Sequence, residues 1–234
     1  MTADAVEEIP GDGPVLITCE HATERMPPGW SWPEEDAWLI GTHWAYDLGA
    51  REVTVELAHA LGARAVLARY SRLLVDPNRD ERSETLFRDR AEDRPVHLNT
   101  THLDAAERRR RVERLLRPYH ARLSRSVRGS RASTLVAIHS FTPVYEGEVR
   151  ELEIGVLYDH DEALARRAAE ALDGAGLRVA LNEPYSGKDG MMYSIDRHAR
   201  ASGRAGIELE IRQDLATDPD FRADLVALLA RLFG

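Results

Sequence analysis

The chain has 234 residues, 43% hydrophobic and 30% charged, a composition typical of a globular protein that buries a full core. Its formal net charge of −9 argues against nucleic acid or an anionic membrane surface as the main partner. A single cysteine, Cys19, excludes an internal disulfide, and no apolar run approaches the roughly 18 residues of a membrane span. The acidic start of the chain lacks the apolar segment of a signal peptide, so we expect a cytoplasmic protein.

The predicted elements alternate between strands and helices along the chain. Residues 1–13 are polar and are expected to be a disordered lead-in, followed by a single domain over residues 14–234. Short apolar runs between turn residues predict buried strands, and apolar residues at helical spacing predict helices. The strands are predicted at 14–19, 65–68, 134–140, 152–158, 177–181 and 206–211, and the helices at 44–61, 104–123, 161–173 and 216–232.

Two further segments complete this pattern. Residues 73–75 are apolar and predict an extended segment, and residues 80–101 are polar without periodicity and predict a long loop. Pro118 should kink or divide the long helix that Asp104 caps. The alternation of elements predicts an α/β fold of three layers, αβα, around a mostly parallel mixed sheet.

Polar side chains cluster where several predicted strands end, which is where open α/β sheets bind ligands. These side chains are Glu20, His21 and Glu24 after the first strand, Asp76, Asn78 and Arg79 after residues 73–75, His139 and Ser140 after the third, and Glu208 and Glu210 within the late strand. Two histidines and a carboxylate suit a catalytic zinc site, whose fourth position stays open for water. A further carboxylate can transfer the water's proton, and an arginine can bind a substrate carboxylate or stabilise an oxyanion.

Simpler interpretations remain for each of these features. A histidine at a strand end is often a hydrogen-bonded structural residue. Glu208 and Glu210 share one face of their strand, so an amphipathic edge strand with both glutamates in solvent is an alternative. Cys19 lies inside a predicted strand and is expected to be a buried small residue rather than a nucleophile. The basic run at 108–114 is interrupted by acidic residues and predicts a solvated helix face.

Eight motifs in order along the chain resemble those of the N-formylglutamate amidohydrolase family. They include CEHATERMP (19–27), HWAYDLGA (43–50), YSRLLVDPNRD (70–80), AIHSFTP (137–143), NEPYSG (182–187) and GIELEIRQDL (206–215). The resemblance implies a fold like that of zinc carboxypeptidases and phosphorylase/hydrolase-type proteins. It also implies zinc-dependent hydrolysis of N-formyl-L-glutamate to formate and L-glutamate, a last step of histidine breakdown. The chain is similar to a shorter branch of this family.

The resemblance also implies roles for individual residues. His21, Glu24 and His139 correspond to metal ligands, with Asp47, a substrate-binding candidate, as the rival third ligand. Glu210 corresponds to the general base and acid, with Glu208 as second choice. Substrate binding is assigned to Asn78, Arg79, Arg72, Tyr185, Gly187 and Arg212. Arg79 is also assigned a catalytic role.

Three functions remain open from the sequence. The first is a zinc-dependent N-formyl (or N-acyl) amino-acid amidohydrolase with one zinc per chain, although histidine and carboxylate ligands also suit other divalent metals. The second is a zinc carboxypeptidase or another N-acyl amino-acid or peptide amidase that uses the same residues. The third is a non-catalytic binding domain on the same fold. We expect a small-molecule substrate, no nucleic acid or membrane partner, and a monomer or small homo-oligomer.

Overall fold

A seven-stranded sheet forms the centre of the computed structural model, which describes residues 5–234. The strands are β1 (Val6–Ile9), β2 (Val15–Cys19), β3 (Arg64–Ala68), β4 (Arg90–Ala91), β5 (Arg94–Pro95), β6 (Thr134–Phe141), β7 (Val144–Tyr145), β8 (Glu148–Val149), β9 (Ile154–Leu157), β10 (Val179–Leu181) and β11 (Ala205–Arg212). The helices are α1 (Ala50–Leu61), α2 (His97–Thr100), α3 (Ala105–Arg111), α4 (Arg117–Gly129), α5 (Glu162–Asp173), α6 (Tyr193–Ser202), α7 (Gln213–Thr217) and α8 (Pro219–Phe233). Short 3-10 helices occur at Glu34–Leu39, Glu84–Leu86 and Gly187–Asp189.

The strand order in the central sheet is β1-β3-β2-β6-β11-β9-β10. β3, β2, β6 and β11 run parallel to one another, whereas β1 and β9 are antiparallel to their neighbours β3 and β11. β4–β5 and β7–β8 are separate hairpins outside this sheet. The predicted fold class, a mostly parallel mixed sheet in an α/β protein, is confirmed.

Helices cover both faces of the sheet because successive strand residues point to opposite sides. Ile17 and its neighbours on one face pack in a cluster with apolar residues of α1, α5, α7 and α8. Leu16 and Leu135 on the other face pack with residues of α4 and α6. These two apolar clusters are the interfaces between the sheet and the helices on either side of it, which gives the predicted three layers. None of the helices between residues 5 and 234 is both long and apolar enough to cross a membrane.

The expected disordered lead-in at 1–13 is wrong for residues 6–9, which form β1, while residues 1–4 lie outside the described part of the chain. β1 pairs with β3 in a register that runs from Val6 opposite Ala68 to Ile9 opposite Ala65. It is an edge strand, where charged side chains are tolerated. The single domain proposed for 14–234 stays a prediction.

Most predicted strands and helices occur within a few residues of their expected bounds, but three predicted segments differ. The helix expected at 44–61 begins only at Ala50, because Gly49 before it adopts a left-handed conformation with φ of 80°. Residues 72–74 form a turn, so the extended segment at 73–75 is wrong. The expected loop at 80–101 contains the β4–β5 hairpin and α2.

The long helix after Asp104 forms as expected, since the Asp104 carboxylate accepts a hydrogen bond from the Glu107 backbone N–H at 2.7 Å. A π-helical turn, Val112–Leu116, divides this helix immediately before α4. Pro118 lies in the first turn of α4, where its missing N–H costs least.

Candidate active site

Three parallel strands bring the predicted site residues to one edge of the sheet. His21 follows β2, His139 lies near the carboxyl end of β6, and Glu210 lies directly opposite His139 in β11. Asp47 joins them from the turn before α1, because its backbone N–H donates to the His21 carbonyl at 2.9 Å. All four residues are buried. The structure therefore brings together side chains that are widely separated in sequence.

His21, His139 and Asp47 form a compact cluster of possible metal ligands. The Nδ1 atoms of the two histidines are 3.1 Å apart. Asp47 Oδ2 lies 2.8 Å from His139 Nδ1 and 3.2 Å from His21 Nδ1. Two imidazole nitrogens and one carboxylate oxygen therefore face one another in the protein interior.

The other nitrogen of each histidine is bound to a second carboxylate. His21 Nε2 lies 2.8 Å from Asp76 Oδ1, and His139 Nε2 lies 3.1 Å from Glu20 Oε2. The Tyr119 hydroxyl donates to the same Glu20 carboxylate at 2.8 Å. Such carboxylate–histidine pairs fix the ring orientation and the tautomer of metal-binding histidines. Here they leave both Nδ1 atoms facing the centre of the cluster.

Three buried carboxylates, those of Asp47, Asp76 and Glu20, contact the two histidines. Burial alone would raise the pKa of Asp47, but His21 and His139 hold it below its ordinary value. Burial likewise opposes the ionised form of Glu20, yet its hydrogen bond with His139 lowers its pKa to about 2. The Arg72 guanidinium donates to Asp47 Oδ1 at 3.3 Å and to Asp76 Oδ2 at 2.9 Å. Arg72 thus pairs with two of these three buried carboxylates, an arrangement that favours a further cation.

The carboxylates of Asp47 and Glu208 also raise the pKa of His139. Burial would lower the pKa of His139, but the nearby carboxylates of Glu208, Asp47 and Glu20 raise it well above its ordinary value. The ring therefore holds a positive charge when no other cation balances these groups.

Glu208 and Glu210 differ in their contacts although they share one face of β11. Glu208 Oε2 accepts a hydrogen bond from Asn78 Nδ2 at 3.4 Å and lies 3.6 Å from His139 Nε2. Glu210 Oε2 is buried and has no hydrogen-bond partner within the described chain. Burial raises the pKa of both carboxyl groups, and that of Glu210 rises well above its ordinary value. Of these two carboxyl groups, Glu210 is therefore the one with a buried oxygen that has no partner among residues 5–234.

A cavity of about 330 Å³ opens over this cluster. Seven predicted site residues outside the metal set line it: Asp47, Arg72, Asn78, Arg79, Tyr185, Glu208 and Glu210. The Asn78 amide is already engaged, because Nδ2 donates to the Met191 carbonyl and Oδ1 accepts from the Ser194 backbone N–H, both at 2.9 Å. Arg79 donates only to backbone carbonyls and to the Met191 sulfur.

Three predicted site residues are not at the cavity. The Glu24 carboxylate accepts a hydrogen bond from the Gly41 backbone N–H, and Glu24 belongs to none of the possible metal-binding groups in residues 5–234. The third residue of the possible metal-binding group with His21 and His139 is Asp47. Arg212 is held by the Asp214 carboxylate at 2.8 Å. Gly187 is buried against the Tyr158 backbone, where an added Cβ would lie 2.6 Å from its carbonyl carbon.

The cavity residues that escaped the sequence analysis as site residues include His43, Trp44, Arg88 and Arg150. His43 and Trp44 lie within one of the family-like motifs, and Arg88 lies in the polar segment 80–101, so each had a weak indication. Arg150 follows the β7–β8 hairpin and belongs to no motif that could have identified it.

Comparisons with known proteins agree with this geometry. The family model described as N-formylglutamate amidohydrolase matches residues 13–217. The crystal structure of gene product Atu2144 from Agrobacterium tumefaciens is 35% identical, with a TM-score of 0.89, over 100% of this chain and 94% of that chain. That of an N-formylglutamate amidohydrolase from Ralstonia eutropha JMP134 is 18% identical, with a TM-score of 0.69, over 98% and 96% of the two chains, and supports the fold alone. No curated protein matches the sequence.

Proposed function

Because the chain belongs to the N-formylglutamate amidohydrolase family, we propose that this cavity is the active site of a zinc-dependent amidohydrolase. Its substrate is an N-formyl amino acid, first of all N-formyl-L-glutamate, and its products are formate and the free amino acid. With glutamate as product, the reaction belongs to histidine breakdown. The observation that carries this proposal is the convergence of His21, His139 and Asp47 beside the unpartnered carboxylate of Glu210.

The donor set fits zinc in both chemistry and spacing. Two histidines and one carboxylate are a common ligand set of catalytic zinc, and ligand atoms about 2.0 Å from one tetrahedral ion are about 3.3 Å apart. The three distances within the cluster of His21, His139 and Asp47 are 2.8, 3.1 and 3.2 Å. When bound, zinc lowers the pKa of water and polarises an amide carbonyl. We assign Asp47, rather than Glu24, as the third ligand.

Glu210 is the general base and acid in this proposal. Its carboxylate accepts a proton from the attacking water and returns that proton to the amide nitrogen as the C–N bond breaks. A carboxyl group whose pKa is raised by burial is a better proton acceptor than an ordinary glutamate and can also donate near neutral pH. Glu208 instead holds Asn78 and lies beside His139, which suits a positioning role.

Arg79 is the proposed partner of the substrate's α-carboxylate. Arg79 lines the cavity and makes no carboxylate contact within residues 5–234, so the N–H groups that it does not donate to Asn78 and Met191 are available to a carboxylate. Asn78 fixes the loop that carries Arg79, through its bonds to Met191 and Ser194. The substrate is then oriented by its carboxylate, with its amide toward Glu210.

The test is the activity and zinc content of the Glu210→Gln variant against N-formyl-L-glutamate. Loss of general acid–base catalysis should lower kcat by about 10²- to 10⁴-fold, while zinc stays bound because Glu210 is not a proposed ligand. Glu24→Gln is the matched control, since it makes the same chemical change away from the cavity, and it should keep wild-type activity. Full activity in Glu210→Gln would refute the assignment of the base. Wild-type protein that binds zinc but hydrolyses no N-formyl amino acid would refute the proposed substrate class.

A further inference from the structure

The cavity contains more positive charge than the proposed reaction requires. Four arginines line it: Arg72, Arg79, Arg88 and Arg150. Arg72 is balanced by Asp47 and Asp76. Within residues 5–234, the other three form no ion pair with a carboxylate: Arg79 donates to carbonyls and sulfur, and Arg150 lies near the Thr142 carbonyl. Partly buried guanidinium groups without paired carboxylates favour a ligand that supplies anionic groups.

Two of these arginines, Arg88 and Arg150, stack on the faces of aromatic rings. Arg88 Cζ lies 5.1 Å from the centre of the Trp44 ring. Arg150 Cζ lies 4.7 Å from the centre of the Tyr145 ring and 5.7 Å from that of Tyr185. Stacking on an aromatic face orients a guanidinium and leaves the N–H groups at its edge free to donate. Both side chains are thus oriented without their hydrogen-bonding capacity being used by carboxylates of this chain.

Arg88 and Arg150 both lie beside Tyr145, whereas Arg79 lies near Met191. Arg79 is carried by the loop after β3 and contacts Met191. Arg88 shares a wall with Trp44 and Tyr145, where the cavity adjoins a second cavity of about 620 Å³. Burial and the nearby positive charges of Arg72 and Arg79 lower the pKa of Arg88, against the opposing effect of the Asp76 carboxylate. The cavity therefore offers two sets of guanidinium donors, Arg79 near Met191 and the pair of Arg88 and Arg150 near Tyr145.

We propose that Arg88 and Arg150 bind a second carboxylate of the substrate, the one on its side chain, and thereby make the enzyme selective for acidic N-acyl amino acids. The inference rests on the proposed function for the identity of the substrate, and it deepens that function by assigning residues to specificity. Arg79 orients the α-carboxylate, and the Arg88–Arg150 pair distinguishes a glutamate side chain from a neutral side chain of similar shape. Arginine suits this task because its planar fork matches carboxylate geometry.

The first experiment compares N-formyl-L-glutamate with N-formyl-L-glutamine, which differ in charge but hardly in shape. We expect wild type to prefer the glutamate substrate in kcat/KM, and Arg88→Gln and Arg150→Gln each to reduce this preference by about 10- to 100-fold, the range for a hydrogen bond to a charged group. Activity on the glutamine substrate should change little, so general damage to folding is separated from loss of selectivity. Arg128→Gln makes the same change on the exposed face of α4 and should keep the wild-type ratio.

The second experiment measures binding without catalysis. Isothermal titration calorimetry compares glutarate with glutaramate, its monoamide, in which one of the two carboxylates is replaced by a neutral amide, on zinc-loaded wild type and the same variants. We expect glutarate to bind wild type about 10- to 100-fold more tightly, and this difference to shrink in Arg88→Gln and Arg150→Gln. If no N-formyl substrate is hydrolysed but this pattern appears, the proposed function fails and the specificity assignment stands. Equal binding of the two probes to wild type, or wild-type selectivity in both variants, overturns the assignment.

Discussion

Replacing Asp47 by Asn tests which carboxylate completes the proposed metal site. The change preserves side-chain shape but removes the charge of the oxygen that lies 2.8 Å from His139 Nδ1 and 3.2 Å from His21 Nδ1. Groups that merely orient a ligand change metal affinity by about 10- to 100-fold when removed. Loss of a charged ligand should therefore weaken zinc binding by at least about 100-fold, or about 2.7 kcal/mol. Glu24→Gln should leave affinity unchanged, because Glu24 bonds to the Gly41 backbone instead.

A binding free energy of this size also predicts that zinc raises the Tm of the protein. Zinc at about 100 times its Kd stabilises the wild type by about 2.7 kcal/mol. A chain of this size gains about 2–4 °C in Tm per kcal/mol, so zinc should raise the wild-type Tm by about 5–11 °C. At the same zinc concentration, Asp47→Asn should gain only about 1 °C, since its Kd has risen to near that concentration.

The assay is elemental analysis of dialysed protein together with scanning calorimetry, each with and without added zinc. Glu24→Gln should match wild type in zinc content and in the size of the shift. The reasoning is refuted if Asp47→Asn retains zinc with wild-type affinity, or if Glu24→Gln loses it. Absence of any zinc-induced shift in wild type would refute the metal site as a whole.

Two further predictions concern stability. Burial lowers the pKa of His120 to about 3 and of His198 to about 4, against about 6.5 unfolded, so both stay neutral when folded while the unfolded chain takes up protons. The contribution of these two histidines to the free energy of unfolding should be complete above pH 6.5 and should fall toward pH 4 by up to about 1.4 kcal/mol per pH unit per histidine. Urea unfolding should therefore show a shallower loss of stability with falling pH in the His120→Gln/His198→Gln variant than in wild type. Gly155→Ala should destabilise by about 2 kcal/mol or more in the same assay, because its Cβ would lie 1.9 Å from the Glu183 carbonyl oxygen, whereas Gly129→Ala, whose Cβ meets only the Arg64 guanidinium at 3.6 Å, should not.

The sheet was largely predictable because its central strands are short apolar runs that bury both faces. Strand β1 was missed because its sequence, VEEI, carries two glutamates and no apolar run. Contacts distant in sequence determine this strand: its pairing with β3, and the ion pair of Glu7 with Arg51 at 2.7 Å. Propensity along a single segment contains no information about such pairing. Edge strands of this kind are therefore harder to find than the strands they cover.

The site was predictable where a strand end marks it and unpredictable where a loop completes it. His21 and His139 terminate predicted strands, so the topology of parallel sheets brings them together. Asp47 was placed within a helix, but it lies in the turn before α1, where its backbone bond to the His21 carbonyl positions it. Arg150 follows a short hairpin, and the aromatic rings that orient it come from three separate segments.

Glu208 and Glu210 of β11 are buried residues whose presence the stability of the fold does not explain. An amphipathic edge strand would place both in solvent, but β11 lies between β6 and β9, and Glu208 and Glu210 are 2% and 5% exposed. A buried carboxylate costs free energy that an apolar side chain at the same position would not, and the raised pKa of both groups reflects that cost. Leu209 between them packs in the apolar core as the fold requires. Stability therefore does not explain the glutamates, whereas the proposed roles of Glu210 in proton transfer and of Glu208 in positioning would.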